Sequence, residues 1–317
     1  MSSVSKIVLL TILCVQTASY NLLRSYSGSF LGETWSKNSV LMVTEIIKLI
    51  ISLLMIIIEN KESPFGRILL VIKESPCMAK LAIIFLIMNL LSFMSLDLVD
   101  ATTFMTCSQM KILTTAGFSV IIMKKKINYR KWRALILLAL GVILVSIQKY
   151  KENDKKELKW EIVGILLILT QNLLSGFVGV FFENILKADV FSIWERNVQL
   201  AIYSIMFYFP LAIYEGPVFN GWTIHSVIIC IIGGFGGLMV ALTVKYTDSI
   251  MKTFATSGAI IITVISGCFF TDEPIDISVC IGIMCTILSL MNYREDDCTC
   301  KEFTGLKKEE EKNLISV

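Results

Sequence analysis

Lys48, Lys111 and Lys252 each fall inside a long apolar run of the chain. A lysine at bilayer depth costs roughly 2.5–3.5 kcal/mol on insertion scales, so each needs a counter-charge or a polar cavity. Lys48 has Glu45 three residues before it, on the same helical face. The two either neutralise each other or line a cavity in which Glu45 accepts hydrogen bonds from a polar ligand. Lys252 has Asp248 four residues before it. Either that pair is self-contained, or Lys252 faces water and meets an anion. Lys111 has no acid within a helical turn, and its residue type in that setting points to anion binding. The run from Lys245 to Ile262 then turns to small residues, Ala255, Ser257 and Gly258 among them. These admit a neighbouring helix or a bulky ligand, with Lys245, Asp248 and Ser257 as polar support. Asn89 is polar at depth as well, and bonds either a helix or a ligand.

Other candidates carry less chemistry. Glu183, Asn184 and Lys187 read equally as a helix end among headgroups or as a polar cluster. Asp97 and Asp100 flank a tight connection, where Asp100 reads as a helix cap. Gly233, Gly234, Gly236 and Gly237 read as helix packing. The single histidine, His225, has no serine, cysteine or carboxylate partner in pattern. The nine cysteines form no CxxC and no Cys/His cluster, so neither a metal site nor a disulfide framework is expected. Cys298 and Cys300 read as unmodified thiols, with palmitoylation as the other reading. No nucleophile, acid–base or metal constellation is present. The chain is therefore not expected to be an enzyme, and no cofactor is implied.

The elements that must position these lysines follow from composition. The 317 residues are 55% hydrophobic and 17% charged, with mean hydropathy +0.72, which is not the make-up of a soluble domain. Apolar runs predict an all-α membrane protein of ten spans. These lie near 4–23, 38–58, 79–97, 101–123, 132–149, 160–183, 194–214, 224–244, 250–271 and 275–293. The first is expected to be a retained helix, because no small-residue cleavage site follows it. Most lysines and arginines, including Lys124-Lys125-Lys126, fall on one side if the N-terminus is cytosolic. Ten spans then return the C-terminus to the cytosol. A shift of 148 residues lays Asp100 on Asp248 and span four on span nine, an odd number of spans away. The two copies must point in opposite directions, an inverted-repeat transporter design with its site near the midplane. Two five-helix repeats are expected, at 1–149 and 150–293, followed by a disordered cytosolic tail at 294–317.

Several stretches together resemble a known family. KYTDSIMKTFATSGAI (245–260) is similar to the signature of nucleotide-sugar transporters, in the branch of the CMP-sialic acid, UDP-galactose and UDP-N-acetylglucosamine carriers. VTEIIKLIIS (43–52), the span from Asp100 to Lys111 with Gln109-Met110-Lys111-Ile112, and GFVGVFFENILK (176–187) followed by Trp194, Arg196 and Asn197 agree with it. The resemblance implies ten helices of the drug/metabolite transporter fold and a Golgi location. It also implies exchange of a cytosolic nucleotide sugar for lumenal nucleoside monophosphate. It places Lys111 and Lys252 at the phosphates, Glu45 and Lys48 in the cavity, and Asn89 near the nucleotide. Two departures leave base and sugar open. Phe104-Met105-Thr106-Cys107-Ser108-Gln109 stands where the family has Tyr-Gln-Val-Thr-Tyr-Gln, and Phe85 and Met88 align with a family tyrosine and glutamine. The ending Leu314-Ile315-Ser316-Val317 is similar to the hydrophobic-valine end by which family members leave the endoplasmic reticulum.

The expected function is therefore Golgi antiport, by alternating access, of a pyrimidine nucleotide sugar (a UDP-sugar or CMP-sialic acid) against a nucleoside monophosphate. The implied partners are those two cargoes and the lipid bilayer, with no nucleic acid. A homo-oligomer or an association with a glycosyltransferase stays open. So do two rivals: a same-fold carrier of another organic anion, and a non-transporting scaffold for Golgi glycosyltransferases.

Overall fold

The structure is a computed structural model, and it describes residues 3–29, 35–59, 64–99, 104, 107–147, 158–188, 190–271, 277 and 280–293. Asp100, the loop 148–157 and the tail 294–317 lie outside the described residues. Among those described there are helices and no strands. In chain order they are α1 Ser3–Ser29, α2 Lys37–Glu59, α3 Pro64–Lys73, α4 Pro76–Leu98, α5 Met110–Met123 and α6 Tyr129–Ile147. There follow α7 Leu158–Lys187, α8 Ile193–Tyr214, α9 Ile224–Tyr246, α10 Ser249–Thr271 and a shorter apolar helix, α11 Cys280–Tyr293.

Seven of these contain a stretch long and apolar enough to cross a membrane: α1, α2, α4, α7, α8, α9 and α10. The chain is a multi-pass membrane protein. In hydrocarbon every backbone polar group must be satisfied within the segment, which is why such apolar runs fold as helices. Small hydroxyls follow the same rule by turning back onto the helix: Thr115 donates to the Lys111 carbonyl at 2.6 Å and Thr263 to that of Ala259 at 2.8 Å. The ends are capped where sequence provides caps. Ser192 and Glu195 form a reciprocal capping box at the start of α8. α5 stops at Lys124, whose φ of +52° is left-handed.

One element was not foreseen. The connection 59–78 lies between two expected spans, yet α3 occupies half of it. Its ten residues are too few to span a bilayer. Instead it lies against α8, with Val71 buried and Arg67 donating through two nitrogens to Glu195, Nη2 at 3.0 Å. Gln199 donates to the Val71 carbonyl at 2.8 Å.

The bundle is built from pairings between early and late helices. α2 packs on α8 and α9, α4 on α7 and α8, α5 on α7, and α1 on α9 and α10. The glycines of α9 serve packing, as their spacing suggested. Gly233 lies on Tyr20 and Thr44, Gly234 on Ile47, Gly236 on Gln16 and Gly237 on the Lys48 stem. A central apolar cluster joins Met78, Leu81, Phe182, Leu186, Leu200 and Val244 from α4, α7, α8 and α9.

Polar contacts gather at the two ends. At one, Glu215 accepts from Ser36 and Asn38, and Trp222 donates to Ser39 at 3.1 Å, so the starts of α2 and α9 meet the end of α8. At the other, Trp194 donates to Glu59 at 2.8 Å, joining the end of α2 to the start of α8.

Candidate functional site

Lys111 stands in the first turn of α5 and Lys252 in the first turn of α10. Both are half-buried, and the charge of one acts on the other. Neither ammonium has a hydrogen bond or ion pair among the described residues. Two cations brought together in apolar surroundings without a counter-ion repel each other and lose hydration. The arrangement is favourable once an anion of two or more charges lies between or beside them.

Asp248 is not that counter-ion. The self-contained Asp248–Lys252 pair, one of the two readings of that spacing, does not form among the described residues. Asp248 Oδ1 accepts from the Met251 backbone N–H at 2.7 Å, and Oδ2 lies 3.6 Å from Lys125 Nζ. The physical reason is position. Asp248 immediately precedes α10, so the unpaired N–H groups of the first turn claim its carboxylate. Lys252 is left free of it. Ser257 is buried, and its Oγ lacks a partner among the described residues. Gly258 brings α1 close, since a methyl group there would lie 3.1 Å from Cys14 Sγ. Lys245 is half-buried in the last turn of α9.

A second polar group forms where α2, α4 and α8 meet. Glu45 and Lys48 pair with each other, with Nζ 2.7 Å from Oε1 and 2.6 Å from Oε2. Lys48 is 6% exposed, its stem lying under Gly237 of α9. Asn89 donates through Nδ2 to the hydroxyl of Tyr208, and the Glu45 charge reaches that tyrosine. Of the five residues expected to bind cargo, Lys111 and Lys252 therefore come together, and Glu45, Lys48 and Asn89 come together around Tyr208.

Sequence reasoning missed two residues. Tyr208 carries no local signal, because its partner Asn89 is 119 positions away. Glu183 was seen only as half of an ambiguous cluster. It is fully buried and accepts from Lys125 at 2.8 Å, from Lys187 at 2.7 Å and from the Ser249 N–H at 2.8 Å. The spacing of four between Glu183 and Lys187 was the available clue. Trp194, Arg196 and Asn197 act within the scaffold. Arg196 bonds Gln199 at 3.0 Å with its guanidinium 4.6 Å from the Phe191 ring centre, and Asn197 bonds the Ile193 carbonyl. Phe85 and Met88 pack on the apolar cluster of α4, α7, α8 and α9.

Residues 1–294 match the family model described as nucleotide-sugar transporter. The UDP-N-acetylglucosamine transporter of Homo sapiens is 33% identical over 310 residues, covering 92% of this chain and 95% of that protein. The UDP-galactose/UDP-N-acetylglucosamine transporter srf-3 of Caenorhabditis elegans is 34% identical over 307 residues, covering 91% of this chain and 82% of its own length. The UDP-galactose translocator of Bos taurus is 31% identical over 277 residues, covering 82% and 70%. A solved structure described only as that of a protein shares the fold, with TM-score 0.72 over 92% of this chain and 98% of its own, at 9% identity.

Proposed function

The chain belongs to the nucleotide-sugar transporter family, and from that premise we propose that it exchanges a cytosolic UDP-sugar for lumenal nucleoside monophosphate across the Golgi membrane. It is a transporter and not an enzyme. The choice of UDP over CMP follows the relatives, which are named for UDP-N-acetylglucosamine and UDP-galactose. CMP-sialic acid stays the second candidate. The observation that carries the reading is that Lys111 and Lys252, in the first turns of the contacting helices α5 and α10, have no hydrogen bond or ion pair among the described residues. A diphosphate diester or a nucleoside monophosphate brings about two negative charges and supplies the missing partner. Glu45, Lys48 and Asn89, with Tyr208, form the remaining wall. Asp248 caps the start of α10, with Lys245 before it, and the Ser257 hydroxyl, without a partner among the described residues, lies along it.

Two inverted five-helix repeats, 1–149 and 150–293, support alternating access. Take α1, α2, α4, α5 and α6 as the first five spans and α7 to α11 as the second. Exchanging the sets turns α4–α7 into α1–α9, α5–α7 into α1–α10 and α4–α8 into α2–α9, and leaves α2–α8 unchanged. Every one of these contacts is present. The contacts at the two ends support a reversed direction for the second set. α1 runs toward the Glu215 end, where α2 begins, whereas α7 runs toward the Trp194 end, where α8 begins. An empty site leaves both lysines unpaired, which disfavours return without cargo and so couples efflux to uptake.

The test is uptake of radiolabelled UDP-N-acetylglucosamine, UDP-galactose and CMP-sialic acid into proteoliposomes preloaded with UMP, CMP, GMP or buffer. Strong stimulation by UMP and little by GMP is expected. Equal uptake with every preload would sink the exchange. Absence of uptake together with no thermal shift from any nucleotide would leave the scaffold reading standing.

A further inference from the structure

We propose that Lys125 and Glu183 are the gate residues at the end of the bundle that carries the basic loop, and that cargo enters from that side only when they part. This rests on the two-repeat exchange reading above. Glu183 is 0% exposed, and a carboxylate that deep is stable only while paired. Its three partners are not equivalent. Lys187, on α7, and the Ser249 N–H, at the start of α10, belong with Glu183 to the second repeat. Lys125 comes from the loop between α5 and α6, in the first repeat. It also lies 3.6 Å from Asp248, so a single ammonium ties the first repeat to both α7 and the start of α10.

The second repeat closes its own joint without Lys125. Lys187 Nζ donates to the Thr247 carbonyl at 2.8 Å, and Ser249 Oγ to the Gly179 carbonyl at 2.8 Å. When Lys125 withdraws, Glu183 keeps two donors, so opening does not strand a buried charge. Lys125 is aimed by the left-handed turn at Lys124, which ends α5 and folds the basic loop back toward the bundle. α5 carries Lys111 at its other end. α10 carries Lys252 three residues after Ser249. Cargo at the lysine pair therefore acts on the same two helices whose ends the gate joins, and occupancy is coupled to closure.

The equivalence of the two ion pairs in distance, 2.8 Å and 2.7 Å, makes the test direct. Thr256→Cys, one turn beyond Lys252 on the same face of α10, is the reporter, in a chain whose native cysteines are changed to serine. A membrane-impermeant maleimide is applied to sealed Golgi vesicles, which expose the cytosolic face. Lys125→Ala is expected to speed labelling about tenfold, the equilibrium shift that loss of one charge-assisted hydrogen bond brings. Lys125→Arg should restore the slow rate, and Lys187→Ala should leave it near that of the parent. An unchanged rate in Lys125→Ala, or an equal rise in Lys187→Ala, overturns the gate. Labelling does not depend on knowing the cargo. A Lys125-specific effect in a protein that no nucleotide shifts thermally would keep the gate and remove the nucleotide reading. A nucleotide shift without the Lys125 effect would do the reverse.

Discussion

Lys111 and Lys252, in the first turns of α5 and α10, have no hydrogen bond or ion pair among the described residues, and an anion of about two charges is the partner proposed for them. Lys111→Ala and Lys252→Ala should each weaken nucleotide binding roughly ten- to a hundredfold, the equivalent of about 1.5–3 kcal/mol for a hydrogen bond to a charged group. Thermal shift against UMP titration measures it. Wild-type affinity in both variants would assign these charges to folding. Lys111→Arg should retain part of the binding and lose turnover, because the forked guanidinium replaces a compact charge. Tyr208 permits a second test. Its hydroxyl accepts from Asn89 in the interior, so Tyr208→Phe leaves that amide donor unsatisfied at a cost of about 1–3 kcal/mol. Its melting temperature should fall. The double variant Asn89→Leu with Tyr208→Phe should recover part of the loss, since both polar partners are then gone. Equal melting of Tyr208→Phe and the parent would show that water serves the amide.

At the scale of elements, the helix pair α5–α7 holds Lys111 in place through backbone proximity. A methyl at Gly176 of α7 would lie 2.8 Å from the Thr114 carbonyl carbon and 2.9 Å from the Thr115 nitrogen. Backbone cannot yield as a flexible side chain can, so Gly176→Ala must push α7 off α5. Overpacking of this kind costs typically about 1–3 kcal/mol. The expected outcome is a lower melting temperature together with weaker nucleotide binding. Gly117→Ala and Gly179→Ala are the controls: a methyl at either meets nothing within 4 Å, and both should be neutral or slightly stabilising. The same neutrality at Gly176 would mean that the α5–α7 approach is not tight.

For the whole molecule, the contact symmetry and the end networks make one arrangement of sides self-consistent. Glu215 joins segments that the charge bias assigns to the lumen, and Arg67–Glu195, Trp194–Glu59 and Lys125–Glu183 join segments assigned to the cytosol. Protease should therefore reach tags at residue 1, residue 317 and the 124–131 loop in sealed Golgi vesicles. A tag at Asn153 should be protected. A protected C-terminus would mean an odd number of spans and would break the inverted repeat with it.

Much of this protein was legible in the sequence, because spanning a bilayer is a local demand. Length and apolarity locate the helices, and a lysine without an acid in its own turn marks Lys111 whatever surrounds it. The glycine spacing of α9 likewise forecast close packing. What the sequence could not decide was which of two local readings holds, or which distant groups meet. Glu45–Lys48 pairs and Asp248–Lys252 does not, although both spacings allow it. The difference is that Asp248 sits at a helix start, beside unpaired N–H groups and Lys125. Asn89 with Tyr208, Lys111 beside Lys252, and Glu183 with Lys125 are set by which helix packs on which. Periodicity specifies that a face is buried but not what buries it, so those pairings existed only once the bundle closed.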